Sequence, residues 1–305
     1  MSKCMCIIFV FWVVAFGFTG CSYAADEDQE HLDKEYAEHI DKHTHGMKED
    51  DKKIIHYNKE VETNPENPDA HFNLGILYAK KRRYNDAVVE YKKAIRIKPD
   101  FIEARTNLSL LYADQEQYNE SIEELRKVLE IEPGNAEAYR NIGHAYFKLG
   151  FLEKAMAELK SALDIDPDNP DIHYTLENVL HGMGLYDEAI SELKKSIELN
   201  PNFKEAYNNL GFLYYERGMH DDAIKEFQKV IELDSKFVEA YSNIGMIYCE
   251  KGMFDEAITI LLKAIEINPT FPDAHNNLGY AYWNKGDKDK AMREVSIYKQ
   301  LSGGF

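Results

Sequence analysis

Few residues of this 305-residue chain stand at spacings that chemistry could use, and each such set lacks a member. His39 and His43 lie four apart, so a helix would put them on one face with His45 nearby, a geometry able to ligate a metal. The tract around them is acidic, poor in large apolar residues and broken by Gly46, and it reads as a solvated linker without a metal site. Asp164, Asp166 and Asp168 imitate the opening of a calcium loop, but Asn169 replaces the turn glycine and Thr175 stands where the closing glutamate belongs. They read as helix-ending and turn residues. No phosphate-cradling glycine loop, His-Glu-x-x-His helix or Gly-x-Ser-x-Gly elbow is present, so neither an enzyme nor a cofactor is expected. Of four cysteines, Cys4, Cys6 and Cys21 crowd the N-terminus, and Cys249 is expected as a small buried or groove-lining residue.

The elements that would position any site follow from a repeat. Glycine recurs at 150, 184, 218, 252 and 286, a fixed step of 34 residues. Small residues keep the step at Ala87, Ser121, Ala155, Ala189, Ala223, Ala257 and Ala291, and prolines at Pro99, Pro133, Pro167, Pro201 and Pro269. From Lys204 to Glu216, Tyr207, Leu210, Gly211 and Tyr214 fall at i, i+3, i+4 and i+7; Ala223, Phe227, Val230 and Ile231 make a second apolar stripe. Each unit therefore predicts two helices, parted by a glycine that ends the first and closed by a proline that stops the second. Seven units, 68–101, 102–135, 136–169, 170–203, 204–237, 238–271 and 272–305, fill the chain after residue 67. Residues 53–67, with Ile54, Ile55, Tyr57 and Val61, predict a helix capping the first unit.

This pattern of aromatic, Leu-Gly, Tyr, Ala, large apolar residue and Pro resembles the tetratricopeptide repeat, and the resemblance covers 68–305. It implies an all-α fold, a right-handed superhelix of seven tandem helix-turn-helix units whose first helices line a concave face. The fourth unit departs from the pattern with Glu177 at the glycine position, Leu180 for tyrosine and Ser196 for the small apolar residue, which raises looser packing or a flexing unit as readings.

Asparagine recurs on the first helices at Asn73, Asn107, Asn141, Asn209, Asn243 and Asn277, with Thr175 as the gap. A carboxamide both donates and accepts, so such a row could pair with the backbone of an extended peptide; alternatively the residue serves local backbone bonding. The row is similar to the asparagine ladder in the repeat arm of O-linked N-acetylglucosamine transferase, whose catalytic domain is absent. Neighbouring positions grow more aromatic toward the C-terminus, with Phe147, Phe212, Tyr215, Met246, Tyr280 and Trp283 as the expected contact residues. Cochaperones of this family grip a terminal carboxylate with groove lysines; here Asp69, Glu103, Glu137, Asp171, Glu205, Glu239 and Asp273 occupy the second position of every unit, which disfavours that binding mode.

Residues 1–25 have the layout of an export leader: Lys3, an apolar run to Phe18, then acidic residues from Asp26. Phe18-Thr19-Gly20-Cys21 resembles the bacterial lipoprotein box, which implies lipidation of Cys21; soluble export after cleavage near Ser22-Tyr23-Ala24 and a retained anchor are the alternatives. Each places the repeats on the outer side of the membrane. Residues 26–52 form an acidic linker. Residues 21–67 hold 14 acids and 6 bases, whereas unit one holds 8 bases and 4 acids, with Lys80, Lys81, Arg82 and Arg83 in its inter-helix turn. That basic patch is read as a solvated turn, a dock for the acidic tether, or a contact for anionic lipid. A net charge of -18 argues against nucleic acid. The expected function is a non-catalytic protein- or peptide-binding scaffold or assembly factor at the cell envelope. The alternative is a pilotin-like or secretion accessory lipoprotein that self-associates through its convex face.

Overall fold

The computed structural model describes residues 48–303. Fifteen helices and no strands occur among them. A leading helix α1 (Glu49–Thr63) precedes seven pairs: α2 (Pro68–Lys80) and α3 (Tyr84–Ile97), α4 (Ile102–Asp114) and α5 (Tyr118–Ile131), α6 (Ala136–Lys148) and α7 (Leu152–Ile165), α8 (Pro170–Gly182) and α9 (Tyr186–Leu199), α10 (Lys204–Glu216) and α11 (His220–Leu233), α12 (Val238–Glu250) and α13 (Phe254–Ile267), and α14 (Pro272–Asn284) and α15 (Lys288–Leu301). This is the all-α stack of helix-turn-helix units expected from the 34-residue step. The leader, Cys21, His39, His43 and His45 lie outside the described residues.

The repeated residue types explain the repeated geometry. Asn67, Asn135 and Asn169 accept backbone N–H bonds from the first turns of α2, α6 and α8, so Asn169 caps a helix. Gly150, Gly184, Gly218, Gly252 and Gly286 all have positive φ, between 71° and 87°, where a side chain would be strained. At the same position of units one and two, Arg82 and Glu116 take φ of 58° and 59° without being glycine. Within a unit, the helices approach so closely that a Cβ at Gly211 would sit 2.9 Å from the Phe227 ring. The fourth unit is as well filled as its neighbours: Glu177, Leu180 and Ser196 are buried, and Ser196 Oγ donates to the Pro170 carbonyl at 2.8 Å. One continuous apolar cluster runs through it, from Ala155 on α7 to Ile247 on α12.

Polar side chains tie each unit to what precedes it. His71, His173 and His275, all buried, each place Nε2 2.9–3.0 Å from the carbonyl of Pro65, Pro167 or Pro269 and Nδ1 2.6–2.7 Å from Glu90, Glu192 or Glu294. Arg105 does the same in unit two, donating to the Pro99 carbonyl and to Glu124. A second set of pairs spans thirty residues: Arg217 with Asp187 at 3.2 Å, Lys251 with Asp221, and Lys285 with Asp255. Lys80 with Asp50 at 2.9 Å and Lys81 with Asp51 repeat that spacing, so α1 stands where the second helix of a preceding unit would stand. Its Ile54, Tyr57 and Val61 pack on Leu74 and Tyr78 of unit one. The helix begins at Glu49, four residues before the expected start at 53, because Asp50 and Asp51 favour its N-terminus.

Candidate peptide-binding groove

Curvature follows from which helices touch across units. First helices approach one another (α2 with α4, α6 with α8, α12 with α14), and among the described residues no successive second helices come as close. The first helices therefore occupy the shorter, concave side. On each of them the second, ninth and thirteenth residues fall at i, i+7 and i+11 on one face. In α10 these are Glu205, Phe212 and Glu216, all exposed.

The expected aromatic residues reach this face unevenly. Phe212 is 42% exposed, and Tyr280 and Trp283 are each 55% exposed; Phe147, Tyr215 and Met246 are half-buried. Ile76 and Leu110 continue the apolar line toward the N-terminus. Tyr215 donates its hydroxyl to Glu250 at 2.6 Å and stacks on His220, and that bond with burial pushes its phenol up to about 12. His181 Nε2 lies 2.8 Å from Glu216 and its ring meets Phe212 edge-on. Burial lowers the His144 imidazole below its ordinary range, which favours its neutral form. Tyr280 and Trp283 also line a hollow of about 320 Å³ with Met292 and Val295, between the two helices of the last unit.

The asparagine row is not a set of free amides. Asn209 donates to Glu177 at 3.0 Å and also bonds Tyr174; Asn277 contacts the Ser242 hydroxyl at 3.4 Å; Asn107 bonds Tyr91. These bonds join a first helix to the first or second helix of the preceding unit, so half the row serves the stack itself. Asn73 and Asn243 are half-buried with no side-chain bond, and Asn141 Nδ2 is buried with no acceptor, among the described residues. Glu177, 2% exposed, is the group that sequence reasoning passed over as a mere departure from glycine. Burial raises its carboxyl above the ordinary range, opposed by the Asn209 bond. The signal was there: an acid at a position that is otherwise glycine or serine.

The basic turn of unit one is largely neutralised within the chain. Lys80 and Lys81 meet Asp50 and Asp51 of α1, while Arg83 bonds Asp86 at 2.7 Å and covers the Tyr78 ring. The Lys80 bond holds the Asp50 carboxyl below its usual range. Arg82, in the left-handed conformation, shows no ion pair among the described residues. Cys249 is buried and its thiol is pushed up to about 11 by burial, so it is inert at neutral pH. Among the described residues no cluster could hold a metal ion, and no helix is long and apolar enough to cross a membrane.

Family models described as tetratricopeptide repeats match residues 68–101, 112–179 and, in three overlapping copies, 178–286. The chain belongs to the tetratricopeptide repeat family. No curated protein matches the sequence. Among solved structures, the array is similar to the anaphase-promoting complex hetero-tetramer Cut9–Hcn1, with a TM-score of 0.64 at 21% identity over 76% of this chain and 46% of that one. It is likewise similar to yeast Tom70 (TM-score 0.61, 19% identity, 83% of this chain and 55% of that one) and to Pseudomonas aeruginosa PilF (0.58, 20%, 68% and 94%). The tetratricopeptide chain thus spans about half the length of the first two, and the likeness is one of fold.

Proposed function

We propose that this chain is a non-catalytic interaction scaffold that holds a protein or peptide segment against its concave face. The observation that carries this reading is the line of exposed aromatic and aliphatic side chains on the first helices, from Ile76 and Leu110 to Phe212 and Tyr280, which solvent leaves uncovered. Around it the Tyr215–Glu250 and His181–Glu216 bonds hold polar groups fixed before any partner arrives, which reduces the entropy lost on binding. The leader and Cys21 support placing the scaffold at the cell envelope, tethered by lipid on the outer side of the membrane.

A cross-linker at position 246 tests the groove. In the native cell it captures a foreign protein, the capture disappears in the F212A/Y215A variant, and a cross-linker at Glu188 on the second helix α9 captures nothing. Equal capture at both positions contradicts the reading. The second reading, self-association, rests on the uncovered end of the last unit at Trp283, Met292 and Val295. It requires a mass that rises with concentration in sedimentation.

A further inference from the structure

The concave face differs sharply in charge between its two halves. In α2, α4 and α6 the exposed acids Asp69, Glu103, Asp114 and Glu137 are accompanied by Arg140, 3.9 Å from Glu137, and by the exposed Lys148, while Lys80 is held by Asp50 and Arg105 is buried against Glu124. In α8, α10, α12 and α14 the exposed carboxylates Asp171, Glu205, Glu216, Glu239, Glu250 and Asp273 face a single lysine, Lys204, which Asp234 already holds at 2.6 Å. Helix dipoles account for acids in a first turn, at Asp171, Glu205, Glu239 and Asp273. They do not account for Glu216 and Glu250, which end α10 and α12 where the dipole disfavours a negative charge. Both are turned to groove-side groups, Glu216 to His181 and Glu250 to Tyr215. The same four helices carry Phe212, Tyr215, Tyr280 and Trp283, the densest aromatic stretch of the face. Asp171, Glu205, Glu239 and Asp273 have no ion-pair partner among the described residues, and an apolar surface framed by such carboxylates is complementary to a chain that alternates apolar and cationic side chains.

Resting on the groove reading above, we infer that the C-terminal half of the concave face binds a segment of a partner protein in which lysine or arginine alternates with apolar or aromatic residues. The apolar side chains lie on Phe212 and Tyr280, and the cations pair with Glu205 and Glu239 between them. A segment rich in acids is repelled.

The test uses the full chain and three short labelled peptides in which lysine, serine or glutamate alternates with phenylalanine and leucine, read by fluorescence anisotropy. The lysine form is expected to bind about tenfold more tightly than the serine form, and the glutamate form not at all. The advantage disappears in E205K/E239K and survives in E153K/E188K, which makes the same change in net charge on the second helices. Raising salt shrinks it. Equal binding of lysine and serine forms, with both lost in F212A/Y215A, overturns the charge inference and leaves the groove reading standing. Loss of the advantage in E153K/E188K to the same extent also overturns it, because attraction to an acidic protein in general then suffices. Absence of binding by every form overturns it too, and leaves the groove reading to its own cross-linking test.

Discussion

At the scale of the residue, two sites in this chain break the rule that their repeat sets, and each has a measurable consequence. Arg82 and Glu116 hold the left-handed turn that glycine holds in the five later units. A side chain in that conformation costs about 1 kcal/mol, partly offset because glycine loses more entropy on folding. R82G and E116G are therefore each expected to raise the unfolding midpoint in urea, and G218A to lower it. Glu177 is the other departure. Its carboxyl is raised by burial, so the ionised form is disfavoured in the folded chain at neutral pH and the cost vanishes below the ordinary carboxylate range. E177Q keeps an acceptor for Asn209 without the charge. It is expected to be more stable than the parent at pH 7, with the gap closing as pH falls toward 4; a gap that widens on acidification would show that the carboxylate form is favoured. The turn glycines were legible in the sequence because the chemistry they answer is local. The fate of Asn209 and Asn277 was not, because their partners Glu177 and Ser242 lie 32 and 35 residues away, where only the curvature of the stack decides which side chains meet.

At the scale of the element, the helix pairs were legible throughout, since each carries an apolar stripe at helical period and a stop signal at its end. The locks between pairs were not. His71, His173 and His275 look like scattered histidines, yet each joins a proline carbonyl six residues back to a glutamate nineteen ahead. The leading helix α1 illustrates the same point: its apolar residues were recognisable, but its aspartates gain meaning only as partners of Lys80 and Lys81. Exposed pairs of this kind contribute little each, so α1 is held mainly by Ile54, Tyr57 and Val61. Replacing Ile54 and Tyr57 by alanine is expected to cost about 2 kcal/mol of local stability. Because each unit contacts only its neighbours, hydrogen exchange should accelerate in α2 and α3 and stay unchanged in α14 and α15. Uniform acceleration along the stack would mean that the array unfolds as one body.

At the scale of the whole molecule, function belongs to a surface that no single unit possesses. The concave face is assembled from one stripe per first helix, and its partition into a half that retains Arg140 and Lys148 and an acidic, aromatic half appears only when the units are stacked. The residue types were readable from the periodicity; which of them the stack would consume and which it would leave to solvent was not. Oxidative footprinting of the complex isolated from the native cell through a tag on the full chain tests the account most directly, because it reads every exposed side chain at once. Binding on the concave face predicts protection of Phe212, Met246 and Tyr280, with Phe151, Met219 and Leu262 labelled as in the free chain. Protection of Phe151, Met219 and Leu262 with the first-helix residues still labelled would contradict it.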